Sequence, residues 1–165
     1  MEGFMKTLSK KIPTPHCNYL EKLFCHKNDV DRVFKDVLGL YDIHHIAMTH
    51  INDRQELLTL SSAPSLEFNL FKSQLWQFDK TYHSDWYQQC EEATWESLYL
   101  PEKYDDLYYV KQHKLQYVHG ISLAAHIDRT YVIYSFASQK TAEDSIFVIN
   151  PQDKPLQKIG TYCYN

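Results

Sequence analysis

The stretch Tyr131 to Ser138 alternates strictly, yet both of its sides are apolar: Tyr131, Ile133, Ser135 and Ala137 fall on one face, Val132, Tyr134 and Phe136 on the other. With Gly120 to His126 before it and the polar link Ile127-Asp128-Arg129-Thr130 between them, it makes the best hairpin in the sequence. A strand that is apolar on both faces cannot lie at a surface. It belongs in the middle layer of a domain, with helices or covering segments on either side.

The rest of the chain supplies those covers. Tyr19 to Leu40 is helical in pattern, with Asn28 or Asp29 as a cap, Val30, Val33, Phe34, Val37 and Leu38 on one face, and Gly39 as a stop. His44 to Ile51 and Leu57 to Ser61 read as strands turned at Asn52-Asp53-Arg54. Pro64 can open a helix, and Leu66, Phe68, Leu70 and Phe71 give it more apolar bulk than one buried stripe requires. Gln74 to Trp95 is irregular and aromatic, carrying Trp76, Phe78, Tyr82, Trp86, Tyr87 and Trp95, and reads as a packed cover. Pro101 starts a further helix that ends around His113 to Leu115; Tyr104, Leu107, Tyr108 and Leu115 share a face, and Glu102, Asp105 and Asp106 sit near its positive end. Ile146 to Ile149 is a candidate strand and Lys154 to Tyr164 a last short helix. The expected fold is a single α/β/α sandwich on a central antiparallel sheet, of the PAS/GAF kind, spanning residues 1–165 with residues 1–14 as a flexible arm.

A chain with 44% hydrophobic residues, 15% aromatic residues and only four Gly folds around a core. Its net charge of −4 argues against tracking a phosphate backbone, so no direct nucleic-acid binding is expected. The basic run Lys6 to Lys11 is short and terminal, and no secretory or membrane-spanning run stands out, which implies a cytoplasmic protein without a membrane partner. The four cysteines, Cys17, Cys25, Cys90 and Cys163, lack metal or redox spacing and read as free, partly buried thiols. His16-Cys17 and Cys25-His26 are adjacent pairs whose side chains diverge on a helix, so neither a metal nor another cofactor is expected.

Asp79 is the residue to examine, because a carboxylate flanked by Trp76 and Phe78 costs desolvation free energy unless it meets a donor. That donor is a ligand N–H, or else Asp79 only caps a turn over Lys80-Thr81. Ser135 is a lone hydroxyl among Tyr131, Ile133 and Ala137, either a polar point on an apolar wall or a group serving local backbone.

From Ala63 to Ala137 the order of pieces resembles the autoinducer-binding domain of LuxR-type quorum-sensing transcription regulators. Asp79 in Leu-Trp-Gln-Phe-Asp stands at the family's fixed Asp, and Trp95 in Ala-Thr-Trp-Glu-Ser-Leu-Tyr at its second Trp. Lys111-Gln112-His113-Lys114-Leu115 takes the place of its "REHGL" segment, Gly120-Ile121-Ser122 that of its "SGxS" start, and Tyr134-Ser135-Phe136-Ala137-Ser138 that of its final strand. The resemblance implies a signal-sensing domain in which Asp79 accepts a hydrogen bond from a ligand amide, and Ser135, Trp95, Trp76 and Phe78 line the pocket. It also implies departures: Leu66, Leu70 and Ser62 stand where the family has a ligand-facing Trp, Tyr and Tyr. A Leu has no donor for a carbonyl, so the expected ligand is a small amphiphile other than a standard acyl-homoserine lactone. The residues after Ser138 are too few for the family's DNA-reading module, so either the sequence is cut at the linker or the protein is a stand-alone sensor.

Two other classes are weighed. Catalysis has no G-x-S-x-G, H-E-x-x-H or phosphate loop behind it, and His113 and His119 near Asp105 or Asp106 are ordinary helix-surface charges, so no enzyme is expected. An interaction protein that forms homodimers, or heterodimers sequestering a LuxR-type regulator, could use Leu20, Leu23, Phe24, Leu156 and Ile159.

Overall fold

A computed structural model describes residues 12–25, 27–141 and 155–165. Six strands, β1 (Thr14–Pro15), β2 (His45–Ile51), β3 (Glu56–Ser61), β4 (Glu92–Thr94), β5 (His119–Ile127) and β6 (Thr130–Ser138), form one sheet in the order β1-β3-β2-β6-β5-β4. All neighbours are antiparallel except the two-residue β1, which runs parallel to β3. Among the described residues the helices are α1 (Tyr19–Cys25), α2 (Lys27–Phe34), α3 (Pro64–Lys72), α4 (Ser84–Tyr87), α5 (Trp95–Leu98), α6 (Tyr104–Lys111) and α7 (Pro155–Tyr164), with short 3-10 turns between several of them.

The two-sided hairpin holds. Val132, Tyr134 and Phe136 pack with Val30, Phe34, Val37 and Ile46 on one face, beside Leu156 and Cys163 of α7. Ile133 and Ala137 look the other way, into a core with Tyr19, Leu66, Leu70, Phe71, Trp76, Tyr82, Trp95 and Leu107. The sheet therefore lies between α2 with α7 on one side and α1, α3, the aromatic cover and α6 on the other, which is the expected sandwich.

Several details differ from the sequence reading. The helix over Tyr19–Leu40 is two helices followed by a turn, because α2 stops at Phe34 and Gly39 takes a left-handed φ of 93°. Asn28 and Asp29 fall inside the first turn of α2 and not before it; an acidic residue there suits the helix dipole. The buried stripe of that segment is Val30, Phe34 and Val37, while Val33 at 45% and Leu38 at 37% exposure face outward. Tyr104 and Tyr108 are likewise exposed, and α6 buries Leu107 and Lys111 instead. Of the cysteines, Cys17, Cys25 and Cys90 are exposed and Cys163 is buried. The arm expected over residues 1–14 ends in structure: Pro13 is buried, and Thr14 donates its N–H to Gln55 at 2.8 Å. The candidate strand Ile146–Ile149 lies outside the described residues.

The tyrosines of this core give a pH-dependence. Burial pushes the hydroxyls of Tyr87, Tyr117 and Tyr134 up to about 12 from 10.0, with nearby groups adding to the shift. The unfolded chain then releases these protons first, so their contribution is fully present below pH 10 and is lost as the pH climbs towards 12. The urea midpoint should be level up to pH 10 and fall steeply beyond it. A midpoint unchanged up to pH 12 would contradict this burial.

Candidate functional site

The face of the sheet under α3 and the aromatic cover is built of small and hydroxylated residues. In register across it lie Ser122 opposite Ser135, Ser135 opposite Ala47, and Ala47 opposite Ser61; Thr49 lies opposite Thr59. Large aromatics from the cover come down onto this shallow floor. The indole of Trp95, 1% exposed, rests against Gly120, where any side chain would collide with it. Its Nε1 donates to Ser122 Oγ at 3.1 Å, and Ser122 Oγ lies 2.9 Å from Ser135 Oγ.

Asp79 is completely buried. It stands between two 3-10 turns, with its neighbour Phe78 tied through its carbonyl to the Leu100 N–H at 2.8 Å. One carboxylate oxygen, Oδ1, accepts the Thr81 N–H at 3.0 Å, which is the turn cap. The other, Oδ2, accepts Lys111 Nζ at 2.7 Å. Lys111 is only 3% exposed, and its ammonium lies 4.3 Å from the Trp95 ring centroid and 5.4 Å from that of Tyr99. The carboxylate thus finds its donor inside the chain, at the place where the resemblance puts a ligand amide. A pair this dry is tightly held by its charge-assisted hydrogen bond, and the rings add cation–π attraction.

The surrounding shell is hydrogen-bonded on the Tyr99 side, whereas the Thr81 hydroxyl beside Asp79 is buried without a partner. Tyr99 donates to Gln112 Oε1 at 2.7 Å, and Gln112 Nε2 donates to Glu96 Oε1 at 2.9 Å. Burial, with the Asp79 charge next, holds the Tyr99 hydroxyl protonated far above its ordinary range.

The other expected site residues divide into two groups. Ser135 joins Trp95 through Ser122, as described. Leu66 and Leu70 are buried core residues, Trp76 stacks on Phe71 at 5.1 Å, and Phe78 is half-buried against the same core. Ser62 is half-buried at the head of α3, where its Oγ accepts the Ile46 N–H at 2.9 Å and lies 3.2 Å from His45 Nδ1. His45 links the two groups: its ring lies 6.1 Å from Trp95 and 5.4 Å from Tyr117, and Nε2 is 3.7 Å from Glu67 Oε1. Two of the cavities are a cleft of about 410 Å3 between Pro15–Glu21 and Phe71, and an apolar groove of about 250 Å3 lined by Val30, Val33, Phe34, Met48, Leu60 and Cys163.

Sequence reasoning missed Lys111, Glu67, His45 and Ser122. A signal was available for two of them. Lys111 is four residues after Leu107 and Glu67 is four before Phe71, so each shares an inward helical face with an apolar neighbour. Among the described residues no group of three or more His, Cys, Asp or Glu could hold a metal ion. No helix among them is long and apolar enough to cross a membrane.

No protein-family model matches the sequence, and no curated protein matches it. Solved structures do match in shape. SdiA in complex with octanoyl-rac-glycerol is 10% identical with a TM-score of 0.62, over 96% of this chain and 62% of that one, so this chain spans less than two thirds of SdiA. CepR2 of Burkholderia cenocepacia, an N-acylhomoserine-lactone-dependent LuxR-family transcription factor, is 8% identical with a TM-score of 0.57, over 89% of this chain and 85% of its own. The VqsR ligand-binding domain of Pseudomonas aeruginosa is 14% identical with a TM-score of 0.50, over 89% and 94%. These neighbours are signal-binding and regulator domains, and at such identities what is shared is architecture: this chain is built on the fold of the LuxR-family autoinducer-binding domain.

Proposed function

We propose that the chain is a small-molecule signal-sensing domain of the LuxR type whose usual carboxylate anchor is closed from within by Lys111. The observation that carries this reading is the grouping of buried Asp79 and Trp95 with half-buried Ser135 over a floor of small, hydroxylated residues, with an ammonium of the chain itself on Asp79. An amide ligand would have to displace a charge-assisted bond of 2.7 Å to reach that carboxylate. It would also meet Leu66 and Leu70 where the resemblance calls for aromatic partners, one of them a donor. The signal is therefore a small amphiphile of another class, of the general kind of the acylated glycerol seen with SdiA. With a net charge of −4, the chain is not proposed to contact nucleic acid itself.

Thermal unfolding with acyl-homoserine lactones of several chain lengths and with octanoyl-glycerol tests this. The lactones should bind at least about tenfold to a hundredfold more weakly than a site offering a free acceptor would allow, since one unmade buried hydrogen bond costs on the order of 1–3 kcal/mol. A submicromolar lactone would refute this account of the anchor. If no amphiphile raises the melting temperature, the sensing reading fails.

A second reading, a module that dimerises with or sequesters a regulator, is favoured by the same closure, because an anchor satisfied internally needs no ligand to fold. Of the residues expected at that interface, Leu20 at 38% and Phe24 at 46% are exposed on α1, while Leu23 and Leu156 belong to the core. Sedimentation across concentrations separates the readings: a stable dimer that Leu20 and Phe24 substitutions dissociate, with no ligand response, supports the second.

A further inference from the structure

The short helix α6 carries three tyrosines at the surface, Tyr104, Tyr108 and Tyr109, the last of them 54% exposed. Its inward positions are Leu107, in the core, and Lys111, on Asp79. Single apolar residues scattered over a surface are ordinary, but three aromatics on two turns of one helix form a patch, and tyrosine is among the side chains in which binding surfaces are richest. These rings are not loose. Tyr104 stacks on Tyr108 at a centroid distance of 6.5 Å with 9° between their planes, and meets the buried Tyr99 edge-on at 5.5 Å. Tyr109 lies 5.7 Å from the His113 ring, one turn further on. A face held in this way loses little freedom when something covers it.

The charges around the rings say what covers them. Asp105 stands three and four residues before Tyr108 and Tyr109, the spacings at which helix side chains are neighbours, and Glu102 stands three before Asp105. Asp106 has a cation, Lys103 at 3.8 Å, whereas among the described residues neither Glu102 nor Asp105 forms an ion pair. The inner side of the same helix shows what this chain does with such groups: the Lys111 ammonium is held by the Asp79 carboxylate and the Trp95 and Tyr99 rings. On the outer side a carboxylate and two rings stand without the cation, and they are open to solvent. We propose that the outer face of α6 docks an arginine-bearing segment of a partner protein, with guanidinium groups lying on Tyr108 and Tyr109 and pairing with Asp105 and Glu102. Arginine suits the face better than lysine, because its flat group stacks on a ring while its fork of N–H donors meets a carboxylate. The outer face of a helix is convex and gives a small molecule no cavity, and its carboxylates repel a phosphate backbone. The assignment stands whether or not the sheet side of α6 takes a signal.

Calorimetry of the full chain with two alanine-based helical peptides of equal length and charge, one bearing arginines and the other lysines at the same positions, tests the proposal. The arginine peptide should bind at least about fivefold tighter than the lysine peptide. Tyr108→Ala with Tyr109→Ala should weaken the arginine peptide about tenfold, the loss expected for two exposed cation–π contacts, and Asp105→Asn should weaken it severalfold. The melting temperature should hardly move in either variant, since these side chains lie outside the core. Tyr162→Ala, which removes an exposed ring of α7 on the other side of the sheet, should leave binding as it was. Equal affinity for the two peptides would reduce the face to unspecific charge and overturn the assignment, and so would binding that survives loss of Tyr108 and Tyr109. Binding of neither peptide would also overturn it. If the chain instead self-associates, and the two tyrosine substitutions abolish that association without any effect of peptide, a second copy covers the face and the arginine partner is wrong.

Discussion

Lys111→Met should lower stability by about 3–5 kcal/mol, the usual cost of stranding one member of a buried ion pair. For a chain of this size that is a fall in melting temperature of roughly 6–20 °C. Met keeps much of the lysine's length and apolar stem, so packing against Trp95 changes little and the loss is electrostatic. What remains is a carboxylate at 0% exposure with a single N–H donor, from Thr81. Asp79→Asn, which in an open pocket would leave the fold untouched, here strands the ammonium and should cost a similar amount. The double variant Lys111→Met with Asp79→Asn should lose much less than the sum of the two, because neither charge is then left alone. Additive losses in urea unfolding would mean that the two groups do not depend on each other.

The same series reports on function. If Lys111 occupies the anchor, Lys111→Ala combines a free Asp79 carboxylate with a space of several methylenes beside Trp95. A gain of acyl-homoserine lactone binding in that variant, absent from the unaltered chain, would tie the specificity of this fold to one lysine. No gain would show that Leu66 and Leu70 alone suffice to exclude lactones.

The elements that were legible in the sequence are those whose signals are local. The β5–β6 hairpin, the β2–β3 hairpin and the Pro64 start of α3 each follow from period-two alternation or from a residue with one backbone preference. The site was legible only as positions. Asp79, Trp95 and Ser135 could be named because large, charged or lone polar residues in an apolar setting demand an explanation; in the structure Asp79 and Trp95 are buried together against Lys111, and half-buried Ser135 reaches Trp95 through Ser122. Their partners could not be found in the same way. Lys111 sits in a stretch with Lys114 and His113, where helix periodicity reads charge as solvated surface, and only its spacing from Leu107 says otherwise. Glu67 hides in the same fashion beside Ser65 and Asn69. The strand β1 is two residues long and pairs in parallel with a segment forty-odd residues away, so no local pattern announces it.

Gly120→Ala should be among the most damaging single-methyl changes available in this chain. Gly120 is the second residue of β5, paired with Ala137 beneath the site, and a Cβ built there falls inside the Trp95 indole, against Cγ, Cδ2 and Cε3. Those atoms are not the free end of a flexible side chain. The indole is fixed at Nε1 by Ser122 and covered by the Lys111 ammonium, and it is 1% exposed, so it has nowhere to retreat. Overpacking of this kind costs typically about 1–3 kcal/mol when a core can give, and a pinned ring puts the cost at or above the top of that range. The methyl must also push Trp95 off Ser122 and Lys111, which loosens the Asp79 pair without touching either of its members. Near-ultraviolet circular dichroism should therefore lose Trp signal alongside a fall in melting temperature, and a second change, Trp95→Leu, should restore part of the stability by making room. A Gly120→Ala chain as stable as the unaltered one, with its Trp signal intact, would mean that the indole does not lie on this strand and that the site built around it is wrong.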